Sequence, residues 1–107
     1  MTKQTITVIP GDGIGPSIID AAIKVLDKAG CGFNYEFADA GLAALEKHGE
    51  LVPQETIDLI EKNKITLKGP LTTPVGEGFT SINVTLRKQF KLYANLRPVL
   101  SFKGTKA

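Results

Sequence analysis

Ser81, Asn83 and Arg87 stand close together in the run Ser-Ile-Asn-Val-Thr-Leu-Arg, and a second guanidinium, Arg97, follows on a different stretch. If Ser81 caps a helix, Asn83 falls in its first turn and Arg87 lies one turn further along the same face, with Lys91 extending the stripe. A helix N-terminus carries roughly half a positive charge and free N–H groups, so an anion placed there is stabilised before any side chain acts. Ser81 and Asn83 would add neutral donors, and Arg87 a planar fork matched to a carboxylate or phosphate. Pro98 forces Arg97 to be extended, and alternation then puts Tyr93, Asn95 and Arg97 on one side of a strand. Two guanidiniums from different elements suit a multiply charged small acid; two ordinary surface arginines are the competing account.

Other candidates carry weaker signals. Lys68 closes a strand-like run, where a lysine is usually just solvated. Thr72 and Thr73 stand between Pro70 and Pro74, and read first as turn caps and second as ligand contacts. Asp12 reads as capping its own turn in Gly11-Asp-Gly-Ile-Gly-Pro16. That loop follows a strand and opens a helix, as a dinucleotide fingerprint should. Yet a G-x-G-x-x-G pattern needs glycine at 16 or 18, where proline and isoleucine stand. The Rossmann reading therefore fails, leaving a tight turn or a close backbone approach to a ligand. His48, the single histidine, is placed at a helix C-terminus, where a cation is mildly favoured. Cys31, the single cysteine, cannot form an internal disulfide and is expected as a small buried hydrophobe, which makes a reducing cytoplasm the default compartment.

The elements that must position these groups follow from periodicity. Thr5–Ile9 is β-branched throughout and ends at Pro10, a short buried strand. Apolar residues at 18, 19, 22, 23 and 26 predict a helix from Ser17 to about Ala29, with Pro16 in its first turn and Gly30 and Gly32 at its end. Residues 33–38 alternate as a second strand. A short helix covers 41–47, and Pro53 opens another whose apolar side is Ile57, Leu59 and Ile60. Residues 65–68 form a third strand, 82–90 a helix with Ile82, Leu86 and Phe90 toward the core, and 92–100 a fourth extended element. The order predicts an α/β fold, layered, with a largely parallel sheet and flanking helices, as one domain over residues 1–107.

Charge is distributed unevenly. All eleven acidic residues lie within 1–77 beside seven lysines and arginines, whereas 78–107 carry six cations and no acid. This favours an anionic ligand or acidic partner near the C-terminal third, against a plain solvated basic face. No apolar run reaches the ~20 residues of a membrane span. The start leads directly into a strand, without a signal peptide. Nucleic acid is not expected, because the basic third has few aromatics for stacking and no recognised motif.

Three stretches, IPGDGIGP, KGPLTTPVGEGFTSINVTLRK and LYANLRPV, together resemble the N-terminal portion of the isocitrate/isopropylmalate dehydrogenase family, over essentially all 107 residues. The Ser81, Asn83, Arg87 arrangement is similar to the isocitrate branch; Glu77 and Thr80 depart from the family pattern. The resemblance implies NAD(P)-dependent oxidative decarboxylation of isocitrate to 2-oxoglutarate, a step of the tricarboxylic acid cycle, with NAD favoured over NADP. It implies that Ser81, Asn83, Arg87 and Arg97 bind isocitrate. It also implies that Ile14, Lys68, Leu71 and Thr72 approach the cofactor, and that the enzyme is a homodimer or larger homo-oligomer. The Mg2+ or Mn2+ the family uses finds no plausible aspartate pair here. Its ligands, the catalytic tyrosine and lysine and a further arginine are expected beyond residue 107, so that this chain alone is expected to be catalytically incompetent. A non-catalytic polyanion-binding or assembly fragment of such an enzyme is the alternative.

Overall fold

The computed structural model describes residues 3–72 and 81–105. Thr73, Thr80 and the Gly76–Gly78 stretch with Glu77 lie outside the described residues.

Three parallel strands, β1 (Thr5–Ile9), β2 (Asn34–Phe37) and β3 (Thr66–Lys68), form one sheet in the order β2-β1-β3. The register sets Ile6 beside Tyr35, Thr7 beside both Glu36 and Thr66, and Ile9 beside Lys68. Paired residues of parallel strands share a face, so β1 separates two layers. On one side Ile6 and Val8 pack with Ile19 of α1 (Gly15–Lys28), flanked by Ile23, Phe33, Tyr35 and Leu67. On the other side Thr7 meets α3 (Gln54–Asn63). A central strand covered on both faces explains the unbroken run of β-branched residues. The α/β class and the parallel sheet agree with the expectation from sequence.

Helix ends follow their punctuation. Pro16 sits in the first turn of α1. At its other end Gly30 adopts φ +80°; its N–H donates to the Asp27 carbonyl, and that of Cys31 to the Leu26 carbonyl. These two bonds make a Schellman motif. The short α2 (Leu42–His48) ends with Lys47 and His48 in its last turn and Gly49 in the left-handed region. The fourth helix, α4 (Ile82–Gln89), buries Ile82 and Leu86 as its periodicity requires.

Four expectations are corrected. Cys31 is exposed rather than buried, because it follows the glycine that turns the chain away from α1. The buried residues of α3 are the polar Thr56 and Asn63, while Ile57, Leu59 and Ile60 are only half-buried. Asp12 caps another helix, not its own turn, as described below. Residues 92–100 form no strand among the described residues; they lie exposed, with Tyr93, Leu96, Val99 and Leu100 open to solvent. A strand needs a ladder partner as well as a suitable composition, and no described segment pairs with this one.

Candidate functional site

Two neighbouring arrangements at the C-terminal end of β1 bring together most of the candidate residues. The first is a cleft of about 750 Å³ between the end of α3, the sheet and α4. Its floor and walls are largely apolar, from Ile9, Ile60, Leu86, Phe90 and Leu92. Lys68, Asn83 and Arg87 face it from β3 and from α4. Because Ile82 and Leu86 anchor α4 to the core, Asn83 and Arg87 share its adjacent stripe, four residues apart.

Electrostatics single out the same residues. Lys68 Nζ donates to the Gly69 carbonyl at 3.0 Å in a partly buried setting, although the residue as a whole is exposed. Burial, and then the Arg87 guanidinium, hold its ammonium below the usual lysine range. Two cations thus stand near enough to feel each other with no carboxylate paired to either among the described residues. Two buried polar atoms on the cleft residues, Asn83 Oδ1 and Thr66 Oγ1, have no hydrogen-bond partner. Buried orphans are uncommon in folded proteins, and pairs of like charge are unfavourable unless an anion offsets them.

The second arrangement is a knot of loops. Gly11 and Gly69 have no room for a Cβ, which at either would lie 2.2 Å or less from a backbone oxygen, of Pro70 and Pro10 respectively. Asp12 N–H donates to the Pro70 carbonyl at 2.7 Å. Its carboxylate accepts from the Thr72 N–H at 2.8 Å and from the Leu42 and Ala43 N–H groups at 3.0 and 3.1 Å. Burial raises the Asp12 pKa, but the three amides, Thr72 first, more than offset this, so the carboxyl stays below the usual range. The knot draws the loop of Ile14, whose side chain is 70% exposed, toward the segment carrying Leu71 and Thr72.

The remaining candidates stand apart. Ser81 occupies the N-cap position of α4, but its hydroxyl makes no cap bond; its carbonyl accepts from Thr85 N–H and Oγ1 instead. Ser81 does not line the cleft, and neither does Arg97, whose Nε donates to Asn95 Oδ1 at 3.3 Å on the exposed 92–100 segment. Lys91 leaves the helical stripe because it adopts φ +51° in the turn after α4. His48 Nε2 lies 3.3 Å from Asp39, a surface pair remote from the cleft residues in sequence and absent from its lining. Sequence reasoning missed Glu61, Lys64 and Thr66 on the cleft wall. Thr66 was legible in principle, since alternation along β3 puts it on the face of Lys68.

Among the described residues no group of three or more His, Cys, Asp or Glu could hold a metal ion, and no helix is long and apolar enough to cross a membrane.

A family model described as isocitrate/isopropylmalate dehydrogenase matches residues 5–107. The NADP-type isocitrate dehydrogenase of Thermus thermophilus is 52% identical over 101 residues, which is 94% of this chain and 20% of that protein. The human mitochondrial NAD-type isocitrate dehydrogenase subunit alpha is 45% identical over 105 residues, 96% of this chain and 28% of that protein. The crystal structure of isocitrate dehydrogenase from Methylococcus capsulatus superposes with a TM-score of 0.89 at 56% identity, covering 95% of this chain and 30% of that one. The chain therefore spans between about a fifth and three tenths of the length of these relatives. With the parallel sheet, the loop knot and the cationic cleft in place, the chain belongs to the isocitrate/isopropylmalate dehydrogenase family.

Proposed function

We propose that this chain is the N-terminal part of the large domain of an isocitrate dehydrogenase and supplies part of its substrate and cofactor site. The observation that carries this reading is the meeting of Lys68 and Arg87, neither ion-paired to a carboxylate among the described residues, at a cleft where Asn83 holds an unpartnered oxygen. A small polyacid satisfies this arrangement: its carboxylates offset the two cations, and its hydroxyl can donate to Asn83 Oδ1. Ser81 and Arg97 join the substrate contacts in this reading on the family resemblance alone, since neither lines the cleft.

NAD or NADP, both represented among the named relatives, would accept hydride from the hydroxyl-bearing carbon of isocitrate. The loop knot fits such a group: Ile14 offers an exposed apolar face, and Leu71 and Thr72 stand on the segment tied to the same loop. What this chain's own residues do is bind and orient. Arg87 and Lys68, the latter expected from the resemblance beside the cofactor but standing by Arg87 at the cleft, fix the carboxylates, so that the reacting carbon is presented toward the Thr72 side. The described residues do not fit a Mg2+ or Mn2+ site, and decarboxylation assisted by such an ion would depend on ligands other than these. A homo-oligomeric assembly and a cytoplasmic location complete the reading, the latter resting on the single unpaired cysteine.

An assembly role for the chain has its own support. Leu92, Tyr93, Leu96, Val99, Leu100 and Phe102 are all at least 60% exposed, a strip suited to packing against further polypeptide.

The test is calorimetric titration of the chain with isocitrate. Binding should weaken at least about tenfold in Arg87→Ala, the scale of a charge-assisted hydrogen bond, and stay unchanged in Lys24→Ala on the distant α1. With Mg2+ and NAD+ the chain alone should give no isocitrate-dependent NADH. Equal affinity in Arg87→Ala and the parent overturns the reading.

A further inference from the structure

The geometry points to Asp12 as the positioning residue of the cofactor-side loops: one carboxylate fixes where the Leu71–Thr72 segment stands relative to Ile14 and to the start of α2. This rests on the reading above for the identity of the ligand, but the clasp itself rests on distances alone.

Asp12 Oδ2 accepts from both Thr72 N–H (2.8 Å) and Leu42 N–H (3.0 Å), while Oδ1 accepts from Ala43 N–H (3.1 Å). The three donors come from two segments separated from Asp12 by 30 to 60 positions, so no local turn accounts for them. Backbone closes the same contact from the other side, through Asp12 N–H to the Pro70 carbonyl. The surroundings are built to admit this carboxylate and nothing larger. Gly41 adopts φ +81°, and a Cβ there would lie 2.2 Å from Asp12 Oδ2. Glutamate, longer by one methylene, cannot place both oxygens in the same space.

A capping residue for α2 alone needs only the Leu42 and Ala43 bonds. The bond to Thr72, which belongs to no helix, is the excess, and it ties a second segment with candidate cofactor contacts to the loop that carries the exposed Ile14. The carboxylate ties Thr72 to the loop of Ile14; without it the 69–72 segment is still held by backbone at Gly69, through its N–H bond to the Ile9 carbonyl, and at Pro70, whose carbonyl accepts from Asp12 N–H, but loses its tie at Thr72.

The experiment is amide hydrogen exchange on the 15N-labelled chain, with NAD+ added in a second series. Asp12→Ala should speed exchange at Thr72, Leu42 and Ala43 by at least about tenfold, while the amides of Val8 and Ile9 stay protected. Asp12→Asn serves as the conservative variant. Its carbonyl can replace Oδ2 but its NH2 must face Ala43 N–H, so Thr72 and Leu42 should keep their protection and Ala43 should lose it. NAD+ should shift the Ile14 and Thr72 resonances of the parent and of Asp12→Asn, and those of Asp12→Ala much less. Thr72 exchanging equally fast in all three proteins, with Val8 and Ile9 protected, overturns the clasp. NAD+ that shifts nothing in a parent whose Thr72 is protected overturns the cofactor assignment, and with it the functional half of the proposal, leaving the clasp standing. Should Asp12→Ala fail to fold, the split between Thr72 and Ala43 in Asp12→Asn decides alone.

Discussion

Asn63 Nδ2 donates to Thr7 Oγ1 at 3.0 Å, and the same hydroxyl donates to the Leu59 carbonyl at 3.0 Å, with Thr7 0% and Asn63 8% exposed. One hydroxyl therefore locks α3 onto the central strand, in a position where an apolar contact would be the simpler solution. The consequence for the cleft is direct, because α3 ends there with Ile60, Glu61 and Lys64, and β1 ends there with Ile9. A polar lock specifies one register of helix on strand, which a slippery apolar face would leave open.

Thr7→Val preserves shape but removes the donor to Leu59 and leaves the Asn63 amide buried without its acceptor. The expected cost is ~1–3 kcal/mol, the desolvation penalty of an unmade buried hydrogen bond. Thr7→Ser, which keeps the hydroxyl, should lose less, about the value of one buried methyl group. Urea unfolding of the three chains checks this. A Thr7→Val midpoint at or above that of Thr7→Ser would show that the hydroxyl contributes nothing.

Gly41 and Gly49 flank α2 and both have positive φ, yet their substitution should differ sharply. Gly49 is in the left-handed region at φ +76°, ψ +6°, with nothing within 4 Å of a built Cβ. Alanine there should cost ~1 kcal/mol, the ordinary left-handed penalty. Gly41 sits at φ +81°, ψ −150°, a region essentially reserved for glycine, and its Cβ would collide with Asp12 Oδ2. Gly41→Ala should therefore cost more than the roughly 1–3 kcal/mol of backbone strain alone. Thermal melts of the two variants, compared at one pH, give the ranking; equal losses would mean that the Asp12 carboxylate yields at no cost.

The contrast between these two glycines also shows what could be read from sequence. Gly49 after Lys47 and His48 is a local helix stop, visible in a window of a few residues. So are Pro16, the Gly30 turn, the β-branched β1 and the Ile82, Leu86 stripe, and all of them stand where the sequence puts them. Gly41 owes its constraint to Asp12, and Asp12 owes its role to Thr72, sixty positions on; no local pattern carries such a relation. The same holds for α3, whose polar Thr56 and Asn63 turn inward because the Asp39 carbonyl and Thr7 wait for them. Within the site, Asn83 and Arg87 were legible because helical spacing fixes them on one stripe. Pro98 and alternation predict Arg97 on a strand, and such local signals cannot supply the neighbouring strand that pairing requires.

Lys68 and Arg87 offer the most direct probe of the cleft. Burial and then Arg87 lower the Lys68 pKa from the ordinary 10.5. Arg87→Ala removes the second cause only, so the pKa should rise part of the way back, and an added tricarboxylate should raise it in the parent by supplying opposite charge. In the window between the folded pKa and 10.5 the unfolded chain binds more protons than the folded one, so this residue makes stability increase as pH climbs through that window. Lys68→Met should lose that increment. Titration of 13C-labelled lysine, with the Lys68 signal assigned by its loss in Lys68→Arg, measures the shift in the parent, in Arg87→Ala and with citrate present. Identical titration in all three would mean that Lys68 and Arg87 do not share a site, and the anion-binding cleft would lose its electrostatic basis.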